Sequence, residues 1–326
     1  MIPTEMDAVV PTGTGGPEVL ELGRRPVPSP AAHEVLVEVD ACGVNGPDLV
    51  QRRGHYPPPK GASDLLGLEV SGKVVAVGSD VTKWKVGDEI CALTNGGGYA
   101  EYVAIDASHC LTIPDGVSIT DAAGLCETFF TVWSNIFHGH DVKEGMNFLV
   151  HGGAGGIGST AIQLGAAMGL NVFTTAASSE ECDYCERLGA TRAINFRDED
   201  FVEVVREAGG ADIILDIIAG DYVERNFKAA RHDARIVQIA FNKGSKMEIN
   251  LMPVMLKRLT YTGSTLRSRP DAFKTAIAAE LQEKVWPLFP KKLVTVTHSV
   301  LPMSQAAEAH AMMEAASHRG KILLKV

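Results

Sequence analysis

The sequence predicts an α/β protein: a small β-barrel joined to a doubly wound parallel sheet. Three observations predict it. Up to about residue 125, short apolar runs alternate with charged residues and are separated by Gly and Pro turns. From about residue 126, strand-like runs alternate with helical ones, the mark of repeated β–α units over a parallel sheet covered on both faces. Between the first such strand and its helix stands a glycine-rich turn, His151-Gly-Gly-Ala-Gly-Gly-Ile-Gly158. A chain of 326 residues is long for one core and points to two domains.

In the first part, residues 34–39, 70–77, 86–93 and 99–104 read as strands, with turns such as Gly96-Gly97-Gly98 between them. Short strands at such spacing favour a small barrel. In the middle, strands are expected at 148–150, 171–175, 192–195, 212–217 and 235–240. Helices are expected after Gly158 and at 180–188, 201–208 and 222–230. Residues 259–264 add an edge strand. Right-handed crossovers make this sheet doubly wound. The last part carries helices at 272–284 and 304–316 and strands at 293–296 and 321–326. The final strand has no mate in the parallel sheet, so it is expected to return to the first domain. The expected division is therefore 1–125 completed by 266–326, around a central domain 126–265.

The glycine turn carries the clearest chemistry. Gly153, Gly155 and Gly158 fill the slots of G-x-G-x-x-G, with Ala154, Gly156 and Ile157 between them. The first glycine is expected to allow a tight turn, the second to let a pyrophosphate approach the backbone, and the third to let helix and strand pack closely. The helix start then offers free N–H groups and partial positive charge. Alone, the stretch is equally a glycine turn in a fold; the strand before it and the helix after it favour a dinucleotide.

Composition removes other classes. The net charge is −10 without a Lys/Arg block, which argues against nucleic acid. No stretch approaches the ~20 apolar residues of a membrane helix. The N-terminus holds Glu5 and Asp7 and lacks a basic region and an apolar core, so no signal peptide is expected. A cytoplasmic location with reduced thiols is expected. Of six cysteines only Cys182 and Cys185 have C-x-x-C spacing, on a predicted helix and without two further ligands nearby. His138 and His140 are too few for a metal and are expected at the surface near a helix end.

Several motifs occur together and in order: Cys42-Gly-Val-Asn-Gly-Pro-Asp-Leu49, Gly54-His-Tyr-Pro-Pro-Pro59, Leu66-Gly-Leu-Glu-Val-Ser-Gly72, Trp84-Lys-Val-Gly-Asp88 and Glu127-Thr-Phe-Phe-Thr-Val-Trp133. With the glycine turn, they make the chain resemble the medium-chain dehydrogenase/reductases, and among them the zinc-free quinone oxidoreductases of the zeta-crystallin type. The resemblance implies a GroES-like barrel domain made from both chain ends and a central Rossmann domain. Zinc-dependent relatives carry Cys at the position of Asn45 and His at that of Leu68, and Cys126 lies near a third such position. One thiolate cannot hold a catalytic zinc, which takes three protein ligands. The four-cysteine structural zinc lobe is also missing. No zinc is expected.

The implied reaction is NAD(P)H-dependent reduction of a quinone or a related conjugated carbonyl, by hydride from a nicotinamide. The resemblance puts Asn45 beside the nicotinamide ribose and the substrate, its amide free to donate and accept. Tyr56 lies on the loop over the pocket, where its phenol hydrogen-bonds the carbonyl oxygen or supplies a proton; packing on Pro57 and Pro58 is its plain alternative. Thr131 and Asn242 resemble family positions near the nicotinamide. Ser178 and Phe196 fall on the ribose side. The small residues Ala176-Ala177-Ser178-Ser179, the last two with hydroxyls, leave room for a 2′-phosphate and favour NADP(H), with NAD(H) possible. Glu181, where relatives often carry Lys, and Phe196, where they carry Tyr, cut against it. Gly46 replaces an Arg and Cys126 a proline, the latter suggesting a thiol near the site. Asp48 is expected to pair with Arg52 or Arg53, and Glu69 to be a buried, paired carboxylate. A homodimer is implied, through an edge strand at 261–264. An enone or alkenal double-bond reductase and a low-turnover NADPH-binding protein are the competing readings.

Overall fold

In the computed structural model, which describes residues 1–326, the chain leaves its first unit at Phe130 and re-enters it at Arg267. The first unit opens with an antiparallel pair, β1 (Glu5–Pro11) and β2 (Leu20–Pro26). There follow β3 (Glu34–Gly43), α1 (Gly46–Arg52), β4 (Glu69–Val77), β5 (Glu89–Leu93), β6 (Tyr102–Asp106), β7 (Cys110–Thr112), the short α2 (Ile119–Ala122) and the first turn of α3 (Cys126–Ile136), a helix that runs on into the second unit. Alternation places Val35, Val37 and Val39 of β3 in the core with Val70 and Val74 of β4 and Ile90 of β5. Beyond β3 the chain enters α1 through Asn45, with Pro47 in its first turn, where a missing N–H does no harm.

The second unit, Thr131–Leu266, is one β–α series. It runs β8 (Asn147–His151), α4 (Gly156–Ala167), β9 (Asn171–Ala176), α5 (Ser179–Arg187), β10 (Arg192–Asn195), α6 (Phe201–Glu207), β11 (Ala211–Asp216), α7 (Tyr222–Ala229), β12 (Ala230–Gln238), α8 (Met252–Lys257) and β13 (Thr260–Gly263). The strand order is β10-β9-β8-β11-β12-β13, and every neighbouring pair is parallel. All five residues of β8 are buried, as an apolar run between two helical layers requires. The order reverses at β8, with β9 on one side and β11 on the other. In such sheets the crevice outside the carboxyl ends at the reversal point is where ligands bind.

The chain then returns to the first unit as α9 (Asp271–Glu280), β14 (Thr297–Pro302), α10 (Ala306–Glu314) and β15 (Lys321–Lys325). The last strand pairs antiparallel with β3 and parallel with β14. The sheet order is β14-β15-β3-β4-β5-β7, with β6 also on β3.

Four local expectations are corrected. No strand forms at 293–296. Leu293 is instead a fully buried anchor, and pairing begins where β15 offers a partner, Thr297 opposite Lys321. The strand expected from residue 86 starts at Glu89, because Gly87, at φ +98°, closes a turn in which the Asp88 carboxylate accepts the Lys85 N–H. The strand expected at 99–104 shifts to Tyr102–Asp106, since Tyr99 turns its hydroxyl into a buried polar network. The helix expected to residue 284 is α-helical only to Glu280 and continues as a single π turn, Leu281–Val285.

Candidate active site

The glycine turn sits between β8 and α4. Its left-handed residue is Gly152, at φ +73°. The tightness expected of Gly153 thus belongs to its neighbour. Gly153 lacks a side chain for another reason: a Cβ there would stand 2.3 Å from Thr174 Oγ1 and 2.8 Å from Cys185 Sγ. At Gly158 a Cβ would stand 2.1 Å from the Gly152 carbonyl oxygen, so α4 packs directly on the turn. Gly155 differs. A Cβ there would meet only the Gly152 oxygen at 3.8 Å, so the space beside it is open.

A buried relay braces the turn from below. Asn226 donates to Asp216 Oδ2 at 2.8 Å, which turns its Oδ1 toward His151 Nε2 at 2.7 Å. His151 Nε2 therefore carries the proton, and its Nδ1 lies 3.1 Å from Thr175 Oγ1. Thr175 in turn accepts the Gly152 N–H at 3.3 Å. Burial lowers the His151 pKa, so the ring stays neutral and the relay needs no counter-charge.

The other nucleotide candidates of this unit lie on loops that leave the carboxyl ends of its strands. Ser178 follows β9 and caps α5, its Oγ accepting the Glu181 N–H at 3.2 Å. Glu181 reaches back past the cap to accept the Ala177 N–H at 2.8 Å. Its carboxylate is thereby fixed at the turn after β9. Phe196 follows β10, is 44% exposed, and is tied to β9 through its N–H to the Ala176 carbonyl at 3.1 Å. Asn242 is exposed and donates its N–H to the Ile217 carbonyl beyond β11 at 3.1 Å. Thr131 stands apart from this group. It lies in α3, where its carbonyl accepts from Ser134 Oγ and Asn135 Nδ2. Arg192, a possible partner for a 2′-phosphate, already pairs with Glu199.

In the first unit Asn45 is 5% exposed and its amide is fully committed. The Nδ2 donates to Glu69 Oε1 at 2.8 Å and to the Gly43 carbonyl at 3.3 Å; the Oδ1 accepts from Lys321 Nζ at 2.6 Å. Lys321 Nζ also lies 2.6 Å from Glu69 Oε1 and 3.3 Å from the Val44 carbonyl. Asn45, expected to offer its amide to a substrate, thus holds Glu69 and Lys321 in place. Glu69 is the buried, paired carboxylate expected of it, with Lys321 as partner.

Asp48 is not paired with Arg52 or Arg53. Fully buried, it accepts the N–H groups of Asn45 at 2.9 Å and Gly67 at 3.0 Å, and the Tyr99 hydroxyl at 3.3 Å. Both arginines go to Glu314 instead. Arg52 also donates to His310 Nδ1 at 3.1 Å, leaving Nε2–H for the Tyr99 oxygen at 3.1 Å. Burial beside Arg52 drives His310 down to about 3, while burial raises Asp48 to about 6 against its hydrogen bonds.

Tyr56 is half-buried, with the Arg267 guanidinium 5.5 Å from its ring centroid. Arg267 is 6% exposed and is held by the Asn95 carbonyl at 2.9 Å and Gln51 Oε1 at 2.7 Å. Burial and the nearby Glu127 raise the Tyr56 phenol above its usual range. Glu127, in the first turn of α3, donates its N–H to Glu69 Oε2 at 2.9 Å and is 9% exposed. Burial, then Glu69, raises its carboxyl to about 8. Cys126, suggested as a thiol near the site, is fully buried and its pKa is pushed up by burial, so it is not a reactive surface group.

Sequence reasoning did not reach Lys321, Arg267 or Glu127. Lys321 had a signal: it is the first residue of the lone final strand, so the return of that strand to the first sheet brings its ammonium along.

The comparisons with known proteins now bear on this geometry. Residues 31–115 match the family model described as alcohol dehydrogenase GroES-like domain, and residues 156–282 the one described as zinc-binding dehydrogenase. A quinone oxidoreductase of Homo sapiens is 32% identical over 320 residues, covering 95% of this chain and 94% of that protein. Among solved structures, a Pseudomonas syringae quinone oxidoreductase superimposes with a TM-score of 0.87 at 28% identity, covering 98% of this chain and all of that one. An Escherichia coli quinone oxidoreductase complexed with NADPH gives 0.85 at 26% identity, covering 99% of this chain and all of the other.

Proposed function

This chain belongs to the zeta-crystallin-type quinone oxidoreductases of the medium-chain dehydrogenase/reductase superfamily, and from that premise we propose that it is a zinc-independent NADPH:quinone oxidoreductase. The observation that carries the reading is the Asn45–Glu69–Lys321 cluster. Where a zinc site would need three donors, Leu68 offers none and the Asn45 oxygen is taken by Lys321. An ammonium already neutralises Glu69 there, so a second cation would meet repulsion. The donor set does not fit zinc, and it leaves acceptors that tolerate negative charge without a Lewis acid. Quinones are such acceptors.

The nucleotide would be held by the turn Gly153 to Gly158, with Ser178, Phe196 and Asn242 on the neighbouring loops and Asn45 and Thr131 toward the nicotinamide. Bound, the reduced nicotinamide supplies the hydride. Gly155 gives the pyrophosphate its approach. Tyr56 keeps its proton at neutral pH, so its phenol is a hydrogen-bond donor to a quinone oxygen as charge builds there. NADPH is the preferred coenzyme, with NADH as a second substrate because Glu181 fixes a negative charge beside the ribose position. The working form is a homodimer joined at β13. No helix is long and apolar enough to cross a membrane.

The test is NADPH absorbance with a quinone panel and a small enone, repeated with NADH and after exhaustive chelation. Quinone-dependent oxidation that survives chelation is expected. Zinc-dependent turnover refutes the metal-free reading, and a tenfold better efficiency with NADH refutes the coenzyme preference. Tight NADPH binding without any acceptor leaves the low-turnover binding protein.

A further inference from the structure

Resting on the quinone-reductase reading, we infer that Glu127 is a further catalytic residue, the acid that protonates the reduced quinone. Hydride transfer alone is incomplete. A quinone that takes two electrons and one proton as hydride becomes a hydroquinone monoanion. One more proton must reach its oxygen.

Most polar groups around the cluster are already committed. Asp48 accepts three donors through its two oxygens. Glu69 accepts Asn45, Lys321 and the Glu127 N–H. Lys321 spends its protons on Asn45, Val44 and Glu69. The Tyr56 phenol is raised above an already high range and is a reluctant acid. Glu127 is different. It is more than nine-tenths buried, yet no protein donor reaches its carboxyl; the bond that ties it to the cluster is made by its backbone N–H to Glu69.

The groups acting on that carboxyl come from three elements and the loop at residue 267. Glu69 on β4 and Asp48 on α1 repel a charge there, and burial adds to them; Lys321 on β15 and Arg267 favour one. Tyr56 is in the same field. The balance leaves Glu127 protonated at neutral pH, with a pKa of about 8, close to where a general acid works best. In the step, the Glu127 O–H bond breaks and its proton bonds to the hydroquinone oxyanion. Neutral hydroquinone and a carboxylate result. Lys321 and Arg267 stabilise that carboxylate until water returns a proton through the residual exposure.

The test compares wild type, Glu127→Gln, Glu127→Ala and Tyr56→Phe. Wild-type kcat with a quinone is expected to fall above about pH 8 on one ionisation. Glu127→Gln is expected to lose at least about tenfold in kcat at pH 7 and the limb near pH 8, with NADPH affinity within about twofold of wild type. Formate or acetate is expected to restore part of the Glu127→Ala rate, which a merely structural residue would not allow. Tyr56→Phe is expected to slow turnover and keep the limb. The coenzyme-free protein supplies a readout apart from activity. A carboxyl raised from 4.5 to about 8 on folding costs wild type stability as pH climbs between those two values, where only the unfolded chain has lost the proton. The melting temperatures of wild type and Glu127→Gln should therefore diverge over that window, in favour of the variant, and run parallel above it. A Glu127→Gln enzyme within twofold of wild type, or one that keeps the limb, overturns the inference alone. A wild type that reduces no quinone overturns the function reading, and this inference with it.

Discussion

Gly155 and Gly158 occupy one motif for opposite reasons, and the difference separates ligand effects from folding effects. A Cβ at Gly158 would strike backbone atoms at 2.1 and 2.6 Å. Gly158→Ala must therefore push α4 off the turn, and overpacking of this kind costs about 1–3 kcal/mol. A Cβ at Gly155 has room, and the residue is extended at φ −76° and ψ 177°, which any residue adopts. Gly155→Ala should leave the melting temperature unchanged while weakening NADPH binding at least about tenfold, measured by calorimetry, because the methyl occupies the pyrophosphate approach. Unchanged affinity in a stable Gly155→Ala protein would remove the pyrophosphate from that position. The spacing of these glycines was legible in the sequence because it is local. The assignment of the left-handed turn to Gly152 was not, because it depends on the path the chain takes between Val150 and Ala154. The Lys321–Asn45 bond was hidden for a different reason. It joins residues 276 positions apart, and a single Lys in a short strand gives no local sign of its partner.

At the scale of elements, α5 shows how a helix start can set coenzyme choice. Ser178 caps the helix and the Glu181 carboxylate accepts the Ala177 N–H, so that carboxylate is held and does not swing freely into solvent. A 2′-phosphate placed at the end of β9 would face that charge. Glu181→Lys should raise the ratio of NADPH to NADH efficiency at least about tenfold, because a charge-assisted hydrogen bond takes the place of a repulsion. It should also cost about 0.5–1.5 kcal/mol from the lost hydrogen bond of the Ala177 N–H, read by thermal melting. An unchanged ratio would mean that the phosphate lies elsewhere. The β–α series around this helix was legible because strand and helix periods differ so clearly. β14 was not: four apolar or β-branched residues at 293–296 look like a strand, but a strand needs a neighbour, and β15 pairs only from Lys321. Tertiary pairing overrode local propensity.

At the scale of the whole molecule, the second unit ends on an open edge. All four residues of β13 are exposed, and β12 takes only one of its two sides. Beside it in sequence, α8 buries no residue, and Leu251, Met252, Met255 and Leu256 are 59–70% exposed. An unprotected edge and an apolar patch in one unit are both liabilities in a lone copy. A two-fold axis that sets β13 against its copy removes the first by continuing the six-stranded sheet across the axis, and it gives the second a surface to bury against. The net charge of −10 per chain opposes association, so an interface at β13 would have to rest on apolar area and strand pairing and would survive high salt. Light scattering at two concentrations should give twice 34.7 kDa. Met255→Glu with Leu256→Glu changes two largely exposed side chains, so it should give a folded monomer with the melting profile of an intact core. A wild type that scatters as 34.7 kDa at both concentrations, or a double variant that still scatters as a dimer, would place the interface on another face and leave the β13 edge without a partner.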